Sequence, residues 1–339
     1  MTTTLAGTAA APPATATLSP AAALSPSPAA AAAVPATPPS RRRLAPRTLA
    51  PWLFLAPSIA AGLLFYAMPA GFLVWLSLSD WDGFVPPGFA GFKNYAYLLF
   101  RDPRFLDTVG RTLVFVGGVA LAAVPLALLI ANLTHRARFQ ALWRIVFCLP
   151  MVTNIVAVGY VGRYLFDGTH GAISQALDAV GVIGPDWLTR PGWAMAAVVL
   201  MYAWTLIGQN VLLFLAGLEA IDESLHEAAR LDGASAWQRL RHVTLPLLRP
   251  ATLFAALTTL NHAVSAGFVL ILVMTEGGPL QSTTVTPLYM FETAFADLRL
   301  GRAAAMAVLL STLALAIALL QLRLSRQGGL EAWGSGAGR

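Results

Sequence analysis

The chain has 339 residues, of which 57% are hydrophobic and only 11% charged, and it carries a formal net charge of +6. Soluble domains average about 25% charged residues, so this composition, with a mean hydropathy of +0.67, excludes an ordinary soluble domain and calls for a lipid bilayer as partner. The basic excess is no nucleic-acid footprint, because the arginines are dispersed along the chain and form no single patch.

Residues 1–48 are predicted to be a disordered Ala/Pro-rich tail: up to residue 40 there is no aromatic and no charged side chain, and too little large apolar surface to form a core. The run after Arg41, Arg42 and Arg43 is too long for a signal-peptide core and reads as a retained first span, with a twin-arginine export signal as the weaker alternative. Six stretches without Asp, Glu, Lys or Arg are long enough to cross hydrocarbon, which takes roughly 20 helical residues: about 52–79, 112–134, 145–162, 193–218, 251–275 and 303–322, the third being the shortest. The expected fold is therefore all-α and polytopic, with a six-helix domain over 49–323 and a tail over 324–339.

Orientation follows from the basic residues. With the N-terminus inside, fourteen of the twenty-two lie on inner segments, among them Arg136, Arg138, Arg144, Arg230, Arg239, Arg241 and Arg249. The positive-inside rule then places both termini and the segment 219–250 in the cytoplasm. Cys148 is the only cysteine and falls within the third span, so intramolecular disulfides are excluded.

Segment 219–250 is the one sizeable polar stretch between two apolar spans. Ser224 and Glu227 have the S-x-x-E spacing of a capping box, predicting a short helix from about Leu225 that ends at a left-handed Gly233. Ser235 and Gln238 repeat the box for a second helix running towards Val243, with its end expected at Pro246. Leu225, Ala228, Ala229, Trp237 and Leu240 make an apolar face ringed by Arg230, Arg239 and Arg241, a surface suited to docking.

No phosphate-binding loop exists in the sequence, since Lys93 is the only lysine and sits in Gly91-Phe92-Lys93-Asn94. Any ATP-driven work must draw its nucleotide site from another polypeptide. A membrane enzyme is disfavoured because the predicted spans contain no Asp or Glu and only one histidine, His262. The same lack of carboxylates weighs against an ion-driven secondary transporter, the alternative reading of a six-span chain. Thr258, Asn261, His262 and Ser265 recur at helical spacing on one face of the fifth span, and polar groups at that depth turn towards a wet cavity or another helix. They are the first candidates for lining a solute path, with interhelical hydrogen bonding as the competing role. Gln209, Asn210 and Tyr202 in the fourth span are weaker ones.

The order Glu227-Ala228-Ala229, Asp232-Gly233, Leu245-Pro246 resembles the EAA loop of ABC importer permeases. The likeness extends over about residues 50–323, through LFLAPSIAAGLLFYAMPAGFLVWLSLSDWD, Asp102-Pro103-Arg104-Phe105, Leu215-Ala216-Gly217-Leu218 and Glu276-Gly277-Gly278-Pro279, and is nearest to the maltose and sn-glycerol-3-phosphate type. Asp222 stands where that family commonly has proline, and Val269 where it often has a polar residue. The resemblance implies a type I importer permease in a bacterial inner membrane that pairs with a second permease. It also implies two copies of a cytoplasmic ATPase that bind ATP-Mg, an extracytoplasmic solute-binding protein and a carbohydrate substrate. Glu227, Ala228, Ala229, Asp232, Gly233, Leu245 and Pro246 would couple to the ATPase, and this chain itself would carry no catalytic residue, cofactor or metal.

Overall fold

The computed structural model describes residues 50–135 and 137–327 and divides into one unit ending at Pro57 and another beginning at Ser58. The expected tail over 1–48 lies outside the described residues, as does 328–339. Of the first unit only the opening turns of helix α1 (Ala50–Gly62) are described.

The first crossing, Phe54–Ser77, passes from α1 through a π turn at Leu63–Ala67 into α2 (Met68–Ser77). The Met68 N–H reaches back five residues to the Leu63 carbonyl, immediately before Pro69. Proline has no N–H and its ring collides with the carbonyl four residues earlier, so the widened turn lets the helix run on through it. Two short strands, β1 (Ser79–Asp80) and β2 (Gly88–Phe89), pair antiparallel beyond this crossing and lead into α3 (Lys93–Phe100).

Asp102 caps α4 (Pro103–Thr134) by accepting from the Phe105 N–H, so the helix starts nine residues ahead of the predicted apolar span, in its charged first turns. The third span is not one straight helix. Helices α5 (Gln140–Val152) and α6 (Ile155–Leu165) meet at 98°, because Thr153 is extended and Asn154 starts a new helix by accepting from the Val156 N–H. After α7 (Ala172–Ala179) comes α8 (Pro191–Glu219), the most buried of the crossings, with 67% of its most apolar window inside the protein. The loop helices α9 (Glu223–Leu231), α10 (Ala236–Arg239) and α11 (Leu245–Leu247) lead into α12 (Arg249–Met274). Helix α13 (Thr286–Phe295) and the last crossing, α14 (Leu300–Gln327), complete the described fold, and α14 continues past residue 323, where the tail was expected to begin.

Among the described residues five helices thus meet the length and apolarity of a membrane crossing, and the bent α5–α6 pair, counted as one broken span, brings the number to six. Their exposed residues, such as Phe65, Leu121 and Leu133, are as apolar as their buried ones. That is the pattern of a chain whose solvent is lipid. Helices α4, α8 and α12 pack around Phe115, Val119, Tyr202, Leu270 and Met274, and nearer the 219–250 loop around Ala127, Phe214, Leu215, Leu248 and Ala255. Close approach depends on glycine: Gly267 faces the Phe115 ring, and a Cβ on Gly208 would overlap the Phe147 carbonyl of α5.

At the end of the bundle away from the loop, α3, α4, α13 and α14 enclose Leu98, Phe105, Tyr289, Ala305 and Met306. The Tyr289 hydroxyl donates to Asp102 at 2.8 Å, and the Arg104 guanidinium lies 4.4 Å over the Tyr289 ring while pairing with Glu292 at 2.6 Å. Burial, and then the hydrogen bond to Asp102, pushes the Tyr289 phenol above its ordinary value of 10.0. Gly208→Val is expected to lower the thermal midpoint of the purified chain by an amount equivalent to about 1–3 kcal/mol of overpacking. An unchanged midpoint in a detergent melting assay would show that α5 is free to move away from α8.

Candidate functional site

The polar loop is built by two kinds of cap. Asp222, and not Ser224, is the N-cap of α9: its carboxylate accepts from the Ser224 N–H at 2.9 Å, and the helix starts at Glu223. The Ser224 N–H and then its hydroxyl hold the Asp222 carboxyl below its ordinary 3.8, so the cap is present in full above that value and is lost as pH falls through the depressed one. The predicted first capping box is thereby corrected. Glu227 sits within the helix, exposed, with no hydrogen bond or ion pair among the described residues, so capping is not its task.

Gly233 takes φ +76° and closes α9 as expected, since a left-handed residue there costs glycine nothing. The second box is formed in both directions: the Gln238 N–H donates to the Ser235 hydroxyl at 3.3 Å and the Ser235 N–H to the Gln238 side chain at 2.7 Å. Pro246 does not end this helix, contrary to the sequence expectation. A π turn at Leu240–Thr244 carries the Leu245 N–H to the Leu240 carbonyl just before Pro246, as the turn in the first crossing does before Pro69. The Leu248 N–H then bonds to Thr244 and the Thr252 N–H to Leu248, so the backbone stays helical from Ala236 into α12, with one irregular residue at Leu248. From Ala236 onward, loop and crossing form one helical path.

Asp232 and Ala228 are exposed like Glu227, Ala229 is half-buried, and Leu245 and Pro246 are half-buried at the root of α12. Leu231 is 90% exposed and Trp237 65%, far more than a surface facing only water would choose. Leu231 was missed in the sequence because the periodic face through Leu225, Ala228 and Ala229 does not include it. Between this helix pair and the ends of α4 and α8 lies a cleft of about 630 Å³ lined by Asn132, Glu219, His226, Arg230 and Trp237 among others. The loop is tied to the bundle by an ion pair: Arg144 of α5 donates to Glu219, the last residue of α8, at 2.5 Å.

The polar face of α12 is sorted by the packing. Asn210 is buried and donates to Thr259 at 2.9 Å, so its amide serves the α8–α12 contact, and Thr259 is a partner that the predicted stripe did not include. Tyr202 donates to the His262 carbonyl at 2.9 Å, again between helices. Thr258 is half-buried with its hydroxyl on the Phe254 carbonyl, and Gln209 is half-buried. Asn261, His262 and Ser265 are exposed at the middle of the crossing, where Ser265 donates to Asn261 at 3.3 Å and the His262 ring has no partner among the described residues. Hydrocarbon is a poor neighbour for an amide, an imidazole and a hydroxyl, so this face is built to meet water, solute or another protein.

Six crossings, one broken, with a helical loop driven into the fifth define a permease of the type I importer fold. The same fold is seen in the crystal structure of a bacterial alginate ABC transporter in complex with an alginate pentasaccharide-bound periplasmic protein, at TM-score 0.70 and 23% identity over 82% of this chain and 94% of the other. Residues 123–327 match the model of the binding-protein-dependent transport system inner membrane components, and this chain belongs to that family. Among its relatives are the sn-glycerol-3-phosphate transport system permease protein UgpA of Agrobacterium fabrum, 31% identical over 82% of this chain and 95% of the relative, and the lactose transport system permease protein LacF of Rhizobium radiobacter, 32% identical over 72% and 83%. The protein is a multi-pass membrane protein and an ABC importer permease.

Both Arg144 and Glu219 are partly exposed, which screens the pair, so its coupling energy in a double-mutant cycle is expected at about 0.2–1 kcal/mol. Arg144→Glu and Glu219→Arg are each expected to reduce transport, and the charge-swapped double variant to recover most of it. A double variant no better than the worse single one would show that the pair does not hold the loop.

Proposed function

We propose that this chain forms half of the translocation path of a carbohydrate importer and receives the driving motion of a separate cytoplasmic ATPase through α9. The observation that carries the proposal is Glu227, exposed, relieved of any capping duty and one helical turn from the exposed Leu231, on a helix that turns at Gly233 into the helical path leading to α12. An exposed carboxylate beside an apolar anchor suits insertion into a cleft of another protein. Since the loop lies in the cytoplasm by the positive-inside distribution, both termini do as well.

The partners follow from the chain's incompleteness. The open Asn261, His262 and Ser265 face needs a second, similar permease to close a path around it, and two copies of the ATPase supply the ATP-Mg sites. An extracytoplasmic binding protein delivers the solute. Hydroxyl, amide and imidazole groups are hydrogen-bonding partners for a sugar, and the relatives named for sn-glycerol-3-phosphate and lactose support a carbohydrate or glycerol-phosphate-like solute. In the cycle, closure of the ATPases draws the α9 helices of the two permeases together. Because α10 runs on helically into α12 and α9 joins α10 through the Gly233 turn, that movement reaches α12 through α10, tilts it and exchanges access from one side of the membrane to the other. An ion-driven secondary transporter lacks support, since no carboxylate lies within the apolar spans.

Purification of the tagged chain with its neighbours in mild detergent is expected to recover an ATPase and a second six-span protein, and Glu227→Arg to abolish ATPase association while the permease pair persists. Full association and ATP hydrolysis in that variant would remove α9 as the coupling element. Replacing Asn261 and His262 together by Leu is expected to lower uptake more than tenfold with the assembly intact. Unchanged uptake would place the path elsewhere.

A further inference from the structure

The arginines around the loop fall into two groups. Arg144 pairs with Glu219, Arg230 with Glu223 at 3.6 Å, and Arg239 donates to the Ala234 carbonyl at 2.7 Å. Arg241 and Arg249 are exposed and have no hydrogen bond or ion pair among the described residues. Both line one groove, of about 510 Å³, between α4 and the root of α12, whose other walls are Leu128, Leu245, Pro246, Leu253 and Ala256, with Thr252.

The groove has a charged mouth and an apolar floor. From Arg249 to Ala256 is seven helical residues, about 10 Å along α12 at 1.5 Å per residue. Leu128 lies a similar distance inward from the loop end of α4, which closes at Thr134. Arg249 therefore stands at the loop end of its crossing, where a bilayer's phosphates would lie, with Arg241 just beyond it in the loop and the leucines where acyl chains would begin. At 100° per residue, Thr252, Leu253 and Ala256 are about half a turn from Asn261, His262 and Ser265, so the groove opens away from the proposed solute path.

We propose that this groove binds an anionic phospholipid of the cytoplasmic leaflet, its phosphate held between Arg241 and Arg249 and one acyl chain laid along Leu128, Leu253 and Ala256. The cytoplasmic assignment rests on the topology proposed above. Guanidiniums favour phosphate because two N–H groups can meet two oxygens, and a basic pocket between helices at the cytoplasmic surface is suited to such headgroups. The ligand would seat against the segment that joins the loop to α12, where it would hold Leu245 and Pro246 against α4.

The test is thermal unfolding of the full purified chain in detergent, with dioleoyl phosphatidylglycerol or dioleoyl phosphatidylcholine added, together with native mass spectrometry of the lipid retained. Phosphatidylglycerol is expected to raise Tm by at least about 2 °C over phosphatidylcholine and to be retained roughly tenfold better. Arg241→Gln with Arg249→Gln is expected to erase that difference while leaving Tm in phosphatidylcholine unchanged, and Arg→Lys at both positions to keep most of it. If the double variant does not fold, each single Gln variant is expected to lose part of the preference. Equal effects of the two lipids, or a preference that survives loss of the arginines, would overturn the proposal. Displacement of phosphatidylglycerol by millimolar inorganic phosphate, with the same rise in Tm, would overturn it in favour of a free-anion site. Neither ATPase nor binding protein is needed, so failure here is separable from failure of the importer reading.

Discussion

Hydrocarbon offers no hydrogen-bond partner to a peptide group, and the form of this protein depends on that constraint. Among the described residues every crossing is helical, and the interruptions at Pro69 and Thr153 each carry a remedy. Before Pro69 and before Pro246 the chain widens into a π turn, so that the missing N–H and the crowded carbonyl are absorbed without a break. At Thr153 the helix does break, and Asn154 caps the next one with its own side chain. The crossing that breaks bends by 98°, while the first crossing and the loop helix leading into the fifth stay continuous where they widen.

Continuity at Pro246 has the larger mechanical consequence. A helix that ended there would place a second break between α9 and α12, after the turn at Gly233. Helical hydrogen bonding from Ala236 into α12, interrupted only in its regularity at Leu248, carries the chain into the crossing without one. The Arg144–Glu219 pair at the loop end of α8 and the close seam at Gly208, eleven residues earlier, both tie α8 to α5, half of the bent crossing.

The polar groups inside the membrane divide by whether packing satisfies them. Asn210 with Thr259, and Thr112 with Thr286, are buried pairs that bind helices to each other. Asn261, His262 and Ser265 are left open on a face of α12 that lipid would not favour. Function in this fold lies in what the single chain leaves unsatisfied. Under the proposals above, the open polar face, Glu227, and Arg241 with Arg249, which have no ion pair among the described residues, each meet another molecule.

Composition and periodicity alone determined that the chain is helical, that it crosses a membrane about six times, and that its one polar loop has two short helices turning at Gly233. Those features depend on residues near one another in sequence: apolar runs, a glycine able to take φ +76°, and a Ser235–Gln238 box whose partners are three residues apart. The tertiary structure decided the rest because the deciding interactions are local competitions or distant contacts. Asp222 outcompeted Ser224 for the start of α9, which freed Glu227, and a π turn overrode the stop written at Pro246. That Asn210 meets Thr259 while Asn261 stays open depends on which face of α12 packs against α8, and four polar residues at helical spacing do not encode that choice.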